Sequence, residues 1–172
     1  MFSKSKLAEL IKIKAVKTGE FILTSGKKSP YYIDLKNAYT DPKIMEMIVE
    51  GMSEAMRGEK IDRIAGIEMG GVPIATALSL KTGLPFIIIR KRERGHGTDK
   101  RIEGELRSGE NVVVVEDVVT TGGSIKSGIE VIREMGGRCT KVIAVVDRLE
   151  GAAENLEKVN ISVESLLTLK DL

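Results

Sequence analysis

The apolar positions along the chain alternate between a pattern typical of strands and one typical of helices. Four continuous runs rich in β-branched residues predict buried strands, at residues 63–67, 85–89, 112–115 and 142–146. Three segments between them keep helical spacing, at residues 42–55, 72–81 and 124–135. Buried strands that alternate with helices are typical of a parallel sheet covered on both faces. The pattern therefore predicts an α/β fold.

Two segments do not follow this alternation. Residues 19–34 (GEFILTSGKKSPYYID) predict two short strands around a turn, which would form a small hood beside the main sheet. Residues 91–109 are too polar for a strand and contain three glycines. A loop of this length is uncommon in a compact domain unless it closes over a site. We therefore expect a mobile lid there.

Composition limits the class of protein. With 172 residues, the chain has room for one well-buried core, so we expect a single domain, with the hood at about 1–40 and the core at about 41–172. It has no apolar run of membrane-spanning length and no pattern of a secretory signal. Its single cysteine, Cys139, favours a reducing compartment. A net charge of +2 does not indicate nucleic-acid binding. We expect a cytoplasmic protein that binds neither membrane nor nucleic acid.

The strongest local motif is VVVVEDVVTTGGS at residues 112–124. Its buried strand would carry Glu116 and Asp117 to the carboxyl edge of the sheet, where open α/β folds bind ligands. The residues that follow bring hydroxyls and backbone N–H groups to a helix start, which favours a phosphate. The motif lacks the lysine of a Walker A loop. Adjacent acids beside a phosphate site suggest a ribose 5-phosphate, although such a sequence can also form only a tight turn with solvated acids.

Three ordered segments resemble a known family. Residues 112–124 are similar to the phosphoribosyl pyrophosphate signature of type I phosphoribosyltransferases. FILTSGKKSPYYID resembles the hood of the orotate phosphoribosyltransferases, and RKRERGHGTDKRIEG resembles their mobile catalytic loop. The resemblance extends from about residue 19 to about residue 150. It implies the type I phosphoribosyltransferase fold, transfer of a phosphoribosyl group to orotate, and participation in pyrimidine (UMP) biosynthesis.

The resemblance also implies roles for particular residues. Lys91, Arg94, His96 and Asp117 would be catalytic. The substrates would be bound by residues of five segments: Arg90; Glu116, Asp117, Val118, Val119, Thr120, Thr121, Gly122, Gly123 and Ser124; Arg148; Tyr31 and Tyr32; and Gly70 and Gly71. Within these segments, residues 116 and 117 would hold the ribose hydroxyls, residues 120–124 the 5-phosphate, and Thr120 and Arg148 the orotate. Mg²⁺ would be the cofactor, carried by the donor with no direct protein ligand. The family's loop reaches the neighbouring subunit, which implies a homodimer with shared sites.

This sequence departs from the family pattern at three positions. Many bacterial members carry lysine where this chain has Thr24 and Gly70, and Arg94 stands where lysine is usual. Lys27 or Lys28 would be candidates to compensate for the missing charge.

Several alternatives stay open on the sequence. Arg148 can form a surface ion pair with Glu150 instead of binding orotate, and His96 alone can be a solvated loop residue. A purine or uracil phosphoribosyltransferase would share the phosphate loop. A DNA-binding regulator of this fold would need more sequence before residue 19, and an RNA-binding loop at residues 90–101 would lack aromatic stacking partners.

Overall fold

The protein is described by a computed structural model that covers residues 2–22, 28–91 and 101–172, apart from the side chain of Ser29. Its helices are α1 (Lys4–Ala15), α2 (Leu35–Tyr39), α3 (Pro42–Ala55), α4 (Gly71–Thr82), α5 (Gly123–Glu134) and α6 (Ala152–Glu157), followed by a 3-10 turn (Leu169–Asp171). Its strands are β1 (Val16–Ile22), β2 (Lys28–Ile33), β3 (Arg63–Ile67), β4 (Phe86–Ile89), β5 (Ile102–Glu103), β6 (Asn111–Val119), β7 (Arg138–Asp147) and β8 (Ser162–Thr168).

The main sheet has the strand order β5-β4-β3-β6-β7-β8. Neighbouring strands are parallel except β5, which runs antiparallel to β4. The chain runs outward from β3 to β4 and then returns to place β6 on the other side of β3. The order of the strands therefore reverses between β3 and β6, and open α/β sheets bind ligands at the carboxyl ends of the strands at such a point.

Alternate residues of the central strands divide the core into two apolar clusters. Val113 and Val115 of β6 pack in the cluster that contains buried residues of α1 to α4. Val112 and Val114 point to the opposite face, where they pack with buried residues of α5 and α6. Helices therefore cover both faces, which confirms the α/β fold that the apolar pattern predicts.

The predicted hood contains two strands, as expected. β1 and β2 form a separate antiparallel sheet in which Val16 pairs with Ile33 and Ile22 pairs with Lys28. The turn that would connect them, residues 23–27, lies outside the described residues. The first helix is α1, whose Leu7 and Ile11 are fully buried in the same apolar cluster as α3.

The structure differs from the sequence-based expectations in several elements. Ile102 and Glu103 form a short edge strand within the segment that we considered too polar for one, because a two-residue pairing with β4 requires only one buried side chain, that of Ile102. β6 continues to Val119, beyond the predicted end at residue 115. Three elements were not predicted: α2, α6 and β8.

The single cysteine is packed in the interior. Cys139 is 2% exposed, and burial raises the pKa of its thiol to about 11. A thiol that stays protonated at neutral pH is a poor nucleophile. Among the described residues, no helix has the length and apolar character needed to cross a membrane.

Candidate active site

A cleft of about 490 Å³ lies at the point where the strand order reverses. It is lined by Lys36, Glu68, Met69, Gly70, Arg90, Lys91 and Asp117. These residues come from α2, from the connection between β3 and α4, from the end of β4 and from β6. Four of them had been predicted from the sequence as site residues: Gly70, Arg90, Lys91 and Asp117. The fold therefore brings together residues that are far apart in the sequence.

The two adjacent acids of β6 differ in their surroundings. Glu116 is 3% exposed, whereas Asp117 is half-buried and lines the cleft. The Asp117 carboxylate accepts a hydrogen bond of 2.8 Å from the backbone N–H of Val118. The Glu116 carboxyl Oε1 accepts a longer one of 3.3 Å from the N–H of Asp117. Both side chains are therefore held close to the end of the strand.

Burial changes the protonation of Glu116. Desolvation, followed by the nearby charge of Asp117, raises the pKa of the Glu116 carboxyl to about 9. The carboxyl is therefore neutral at pH 7 and can donate a hydrogen bond as well as accept one. Its Oε2 is buried and has no hydrogen-bond partner among the described residues. A buried polar atom of this kind is available to a ligand.

Gly70 and Gly71 bring the backbone close to β6. A Cβ at Gly70 would overlap the carboxylate of Asp117, and a Cβ at Gly71 would overlap the carbonyl oxygen of Val115. Gly70 has φ −63°, so the requirement for glycine at this position is steric and does not come from backbone conformation. The loop therefore offers backbone groups to the cleft and has no room for a side chain at Gly70 while Asp117 keeps its position.

The predicted phosphate loop connects β6 to α5. Val118 and Val119 still belong to the strand, and Gly122 has φ 81°, a left-handed conformation that glycine adopts without strain. The first hydrogen bond of α5 runs from the N–H of Lys126 to the carbonyl of Gly122 at 2.9 Å. The backbone N–H groups of residues 123–125 precede it and have no partner within the helix. The arrangement suits an anion.

Contacts from α6 hold this loop in place. The Asn155 side-chain amide donates a hydrogen bond of 3.1 Å to the carbonyl of Thr121. A smaller cavity of about 270 Å³ lies beside the loop and is lined by Thr121, Gly122, Gly123, Lys126, Asn155, Leu156, Lys158 and Val159. Thr120 is half-buried, whereas Thr121, Gly123 and Ser124 are exposed. The predicted loop residues are therefore accessible at the surface of the sheet edge.

The basic segment is described only in part. Arg90 lies 3.4 Å from the Glu103 carboxylate, and the backbone N–H of Lys91 donates to the Glu68 carboxylate at 3.4 Å. Both residues line the cleft. The predicted catalytic residues Arg94 and His96, like Thr24 and Lys27 of the hood, lie outside the described residues.

Three other predicted residues do not line the cleft. Tyr31 packs against the core, and Tyr32 is 40% exposed with its ring centroid 5.7 Å from that of Phe21. The Arg148 Nε lies 3.0 Å from the carboxylate of Glu150, which is the ion pair left open by the sequence. The angles of this contact are not those of a hydrogen bond. The buried Nε therefore has no hydrogen-bond acceptor among the described residues.

The short helix α2 contributes two residues that the sequence analysis missed. Lys36 lines the cleft, and Tyr39 is buried nearby. Desolvation, followed by the charges of Asp117, Asp34 and Glu116, raises the pKa of the Tyr39 hydroxyl to about 12. The apolar residues Leu35, Ala38 and Tyr39 have i, i+3, i+4 spacing. This spacing extends over a single helical turn, and it is the sequence signal that could have indicated α2.

Comparison with known proteins identifies the family. Residues 36–166 match the model of the phosphoribosyl transferase domain. The chain belongs to this family. The orotate phosphoribosyltransferase of Methanocaldococcus jannaschii is 50% identical over 173 residues, which cover 100% of this chain and 98% of that protein. The family resemblance inferred from the three sequence segments is therefore confirmed.

Solved phosphoribosyltransferase structures have the same fold. The crystal structure of orotate phosphoribosyltransferase from Aeropyrum pernix matches with a TM-score of 0.88 and 36% identity over 95% of this chain and 94% of that one. The Mycobacterium tuberculosis orotate phosphoribosyltransferase in complex with 5-phospho-α-D-ribosyl 1-diphosphate matches with a TM-score of 0.82 and 32% identity, covering 98% and 97%. The predicted type I phosphoribosyltransferase fold is confirmed.

Proposed function

We propose that this protein is an orotate phosphoribosyltransferase. It transfers the 5-phosphoribosyl group of phosphoribosyl pyrophosphate to orotate and releases orotidine 5′-phosphate and pyrophosphate, a step of de novo UMP synthesis. The proposal is supported by relatives of that name that are similar over the whole chain and by a solved relative that binds the donor. The observation that carries it is the cleft in which Asp117, on the strand that leads to α5, lies against the glycine loop.

The chemistry of the donor fits the two parts of this sheet edge. The N–H groups at the start of α5 and the hydroxyls of Thr120, Thr121 and Ser124 suit the 5-phosphate. Asp117, with Glu116 behind it, suits the two ribose hydroxyls, because a carboxylate accepts hydrogen bonds from a diol. The backbone of Gly70 and Gly71 suits the diphosphate.

The reaction is a displacement at the anomeric carbon. A ring nitrogen of orotate forms a bond to that carbon as the bond to the pyrophosphate oxygen breaks, and both bonding electrons leave with pyrophosphate. Negative charge grows on the leaving group, so cationic groups that approach it in the transition state accelerate the reaction. Lys91 lines the cleft and is assigned this role, together with Arg94 and His96 of the loop.

Mg²⁺ is the proposed cofactor. It partly neutralises the diphosphate when bound, and Mg²⁺ in such sites is commonly held by substrate phosphates, water and one or two carboxylates. No group of three or more histidine, cysteine, aspartate or glutamate residues suited to a metal occurs within the described ranges. Asp117, the acid of β6 that lines the cleft, would favour a cation that the donor carries in.

Arg148 and Thr120 are the proposed orotate-binding residues. Their strand ends are neighbours, because the N–H of Arg148 donates a hydrogen bond of 3.0 Å to the carbonyl of Val119. A guanidinium can bind a carboxylate with two parallel hydrogen bonds, which would select orotate over uracil. Binding of orotate then requires Arg148 to exchange its contact with Glu150 for the substrate. Tyr31 and Tyr32 of the hood are proposed to close over the base.

A homodimer with shared sites is proposed from the family resemblance. If the loop after Lys91 acts in the partner's cleft, mixing an inactive Arg94→Ala protein with an inactive Asp117→Asn protein restores activity. If the subunits of an equal mixture exchange at random, half of the dimers are mixed, and each mixed dimer has one intact site of two. The mixture then has about a quarter of the wild-type activity. A mixture that stays inactive although sedimentation shows mixed dimers would contradict shared sites.

The substrate assignment is tested by incubating the protein with phosphoribosyl pyrophosphate, Mg²⁺ and each base in turn. Consumption of orotate, with release of pyrophosphate, is the expected result. Consumption of uracil or a purine instead would assign the protein to another branch of the family. We also propose that the enzyme works in the cytoplasm.

A further inference from the structure

The side chains that line the cleft carry charges of both signs. Glu68 and Asp117 contribute carboxylates, and Lys36, Arg90 and Lys91 contribute cations. Arg90 is already close to Glu103, at 3.4 Å. A highly charged anion that enters the cleft therefore meets two acids and needs cations that are not already paired.

The glycine loop cannot supply such a cation. A side chain at Gly70 would overlap the Asp117 carboxylate. The next residue, Gly71, has no space either, because a Cβ there would overlap the carbonyl oxygen of Val115. A basic group near the loop must therefore come from another element.

Lys36 meets this requirement. It is exposed, it lines the cleft, and it lies on α2, whereas Arg90 and Lys91 both lie at the end of β4. Within the described part of the chain, its ammonium has no ion pair or hydrogen bond. The acid nearest to it in sequence, Asp34, is occupied by Asn37 at 2.8 Å and lies 3.7 Å from Lys17.

The packing of α2 holds Lys36 at this position. Leu35, Ala38 and Tyr39 are buried in the main apolar cluster, which leaves Lys36 on the open side of the helix. An exposed lysine whose backbone is anchored in this way can extend its ammonium to a ligand without rearranging the fold.

We propose that Lys36 is a further donor-binding residue, which contacts the diphosphate of phosphoribosyl pyrophosphate. The inference rests on the proposed function. Because the contact is made to the leaving group, Lys36 contributes to binding of the donor and of pyrophosphate, and it contributes little to binding of a ribose 5-phosphate that lacks the diphosphate.

The test compares three probes in the presence of Mg²⁺: phosphoribosyl pyrophosphate, inorganic pyrophosphate and ribose 5-phosphate. For Lys36→Gln we expect dissociation constants about tenfold weaker for the first two, corresponding to ~1.4 kcal/mol, and a change of less than about twofold for ribose 5-phosphate. Lys36→Arg retains the charge and should restore most of the affinity. The matched control is Lys60→Gln, which removes an exposed lysine in the loop before β3 and should change none of the three.

Two results would overturn the inference. The first is a Lys36→Gln protein that binds pyrophosphate as the wild type does. The second is an equal loss for all three probes, which indicates a general effect on the site instead of a contact with the diphosphate. Orotate consumption by the wild type is measured in parallel. If the wild type is active, a negative result refutes the role of Lys36 alone, and if the wild type neither binds the donor nor consumes orotate, the proposed function fails as well.

Discussion

Replacing Glu116 with glutamine should stabilise the protein at alkaline pH. The folded state raises the pKa of this carboxyl to about 9, from 4.5. Between these two values the folded protein keeps a proton that the unfolded chain has released. The contribution of Glu116 to the unfolding free energy therefore falls as the pH rises from 4.5 towards 9. Glutamine is neutral at every pH, and its carbonyl oxygen can still accept the hydrogen bond from the Asp117 N–H.

The size of the effect follows from the same pKa values. Each pH unit corresponds to ~1.36 kcal/mol, so the interval from pH 4.5 to pH 8 gives an upper limit of ~5 kcal/mol. Structural relaxation and entry of water reduce such penalties in proteins. We therefore expect Glu116→Gln to unfold with a free energy ~2–4 kcal/mol above that of the wild type at pH 8, and with a similar value to the wild type at pH 5.

Urea unfolding at pH 5, 6.5 and 8 measures this difference. The matched control is Glu130→Gln on α5, which removes an exposed carboxylate. Its unfolding free energy should follow the wild type at each pH. If the wild type and Glu116→Gln give parallel curves over this range, then Glu116 is not held neutral by its burial, and the reasoning is wrong. A neutral Glu116 also matters for function, because it lessens the repulsion that the acid pair exerts on a diphosphate.

Four further substitutions test the site and the fold. Lys91→Ala should lower kcat far more than it weakens donor binding, because its contact forms in the transition state, and equal losses in steady-state kinetics would contradict this role. Asp117→Asn should abolish useful donor binding in calorimetry and leave the circular dichroism spectrum unchanged; unchanged affinity would remove the ribose assignment. Gly70→Ala should displace the Asp117 carboxylate, so donor affinity falls about tenfold while the unfolding free energy changes by less than ~1 kcal/mol. Arg63→Met should lower the unfolding free energy measured with urea by ~3 kcal/mol, because the mostly buried Glu110 carboxylate, which lies 2.7 Å from Arg63 in the wild type, loses its cation. A loss below ~1 kcal/mol would show that the pair contributes little.

The central part of the fold could be predicted because its local signals agree. The apolar runs of β3, β4 and β7 and the helical spacing of α3 indicate buried elements without knowledge of the tertiary structure. Asp41 accepts a hydrogen bond of 3.0 Å from the N–H of Lys43, and Pro42 is the first helical residue, so the Asp-Pro pair is a local start signal for α3.

The elements that were missed depend on tertiary contacts. α2 and α6 have five and six residues, too few for a helical period to be evident in the sequence. β5 has two residues and exists because β4 presents an open edge. β8 alternates exposed and half-buried residues before its buried end, which is a weak strand signal. In such segments the neighbouring element of the fold determines the structure.

The candidate site could be predicted where one motif carries several residues together. The order of strand, acid pair and phosphate loop located Asp117 and the start of α5 correctly at the sheet edge. The different burial of Glu116 and Asp117 could not be predicted, because both acids are equivalent in sequence and only their packing separates them. Lys36 was missed because nothing in the sequence distinguishes it from other exposed lysines.

The proposed function requires that the sheet edge between β3 and β6 bind phosphoribosyl pyrophosphate. A crystal structure with the donor and Mg²⁺ tests it most directly. We expect the 5-phosphate within hydrogen-bond distance of the backbone N–H groups of residues 120–124, the ribose hydroxyls on Asp117 and the diphosphate in the cleft beside Gly70. A bound donor at another position, with Asp117 turned away from the sugar, would contradict the proposed function of this sheet edge.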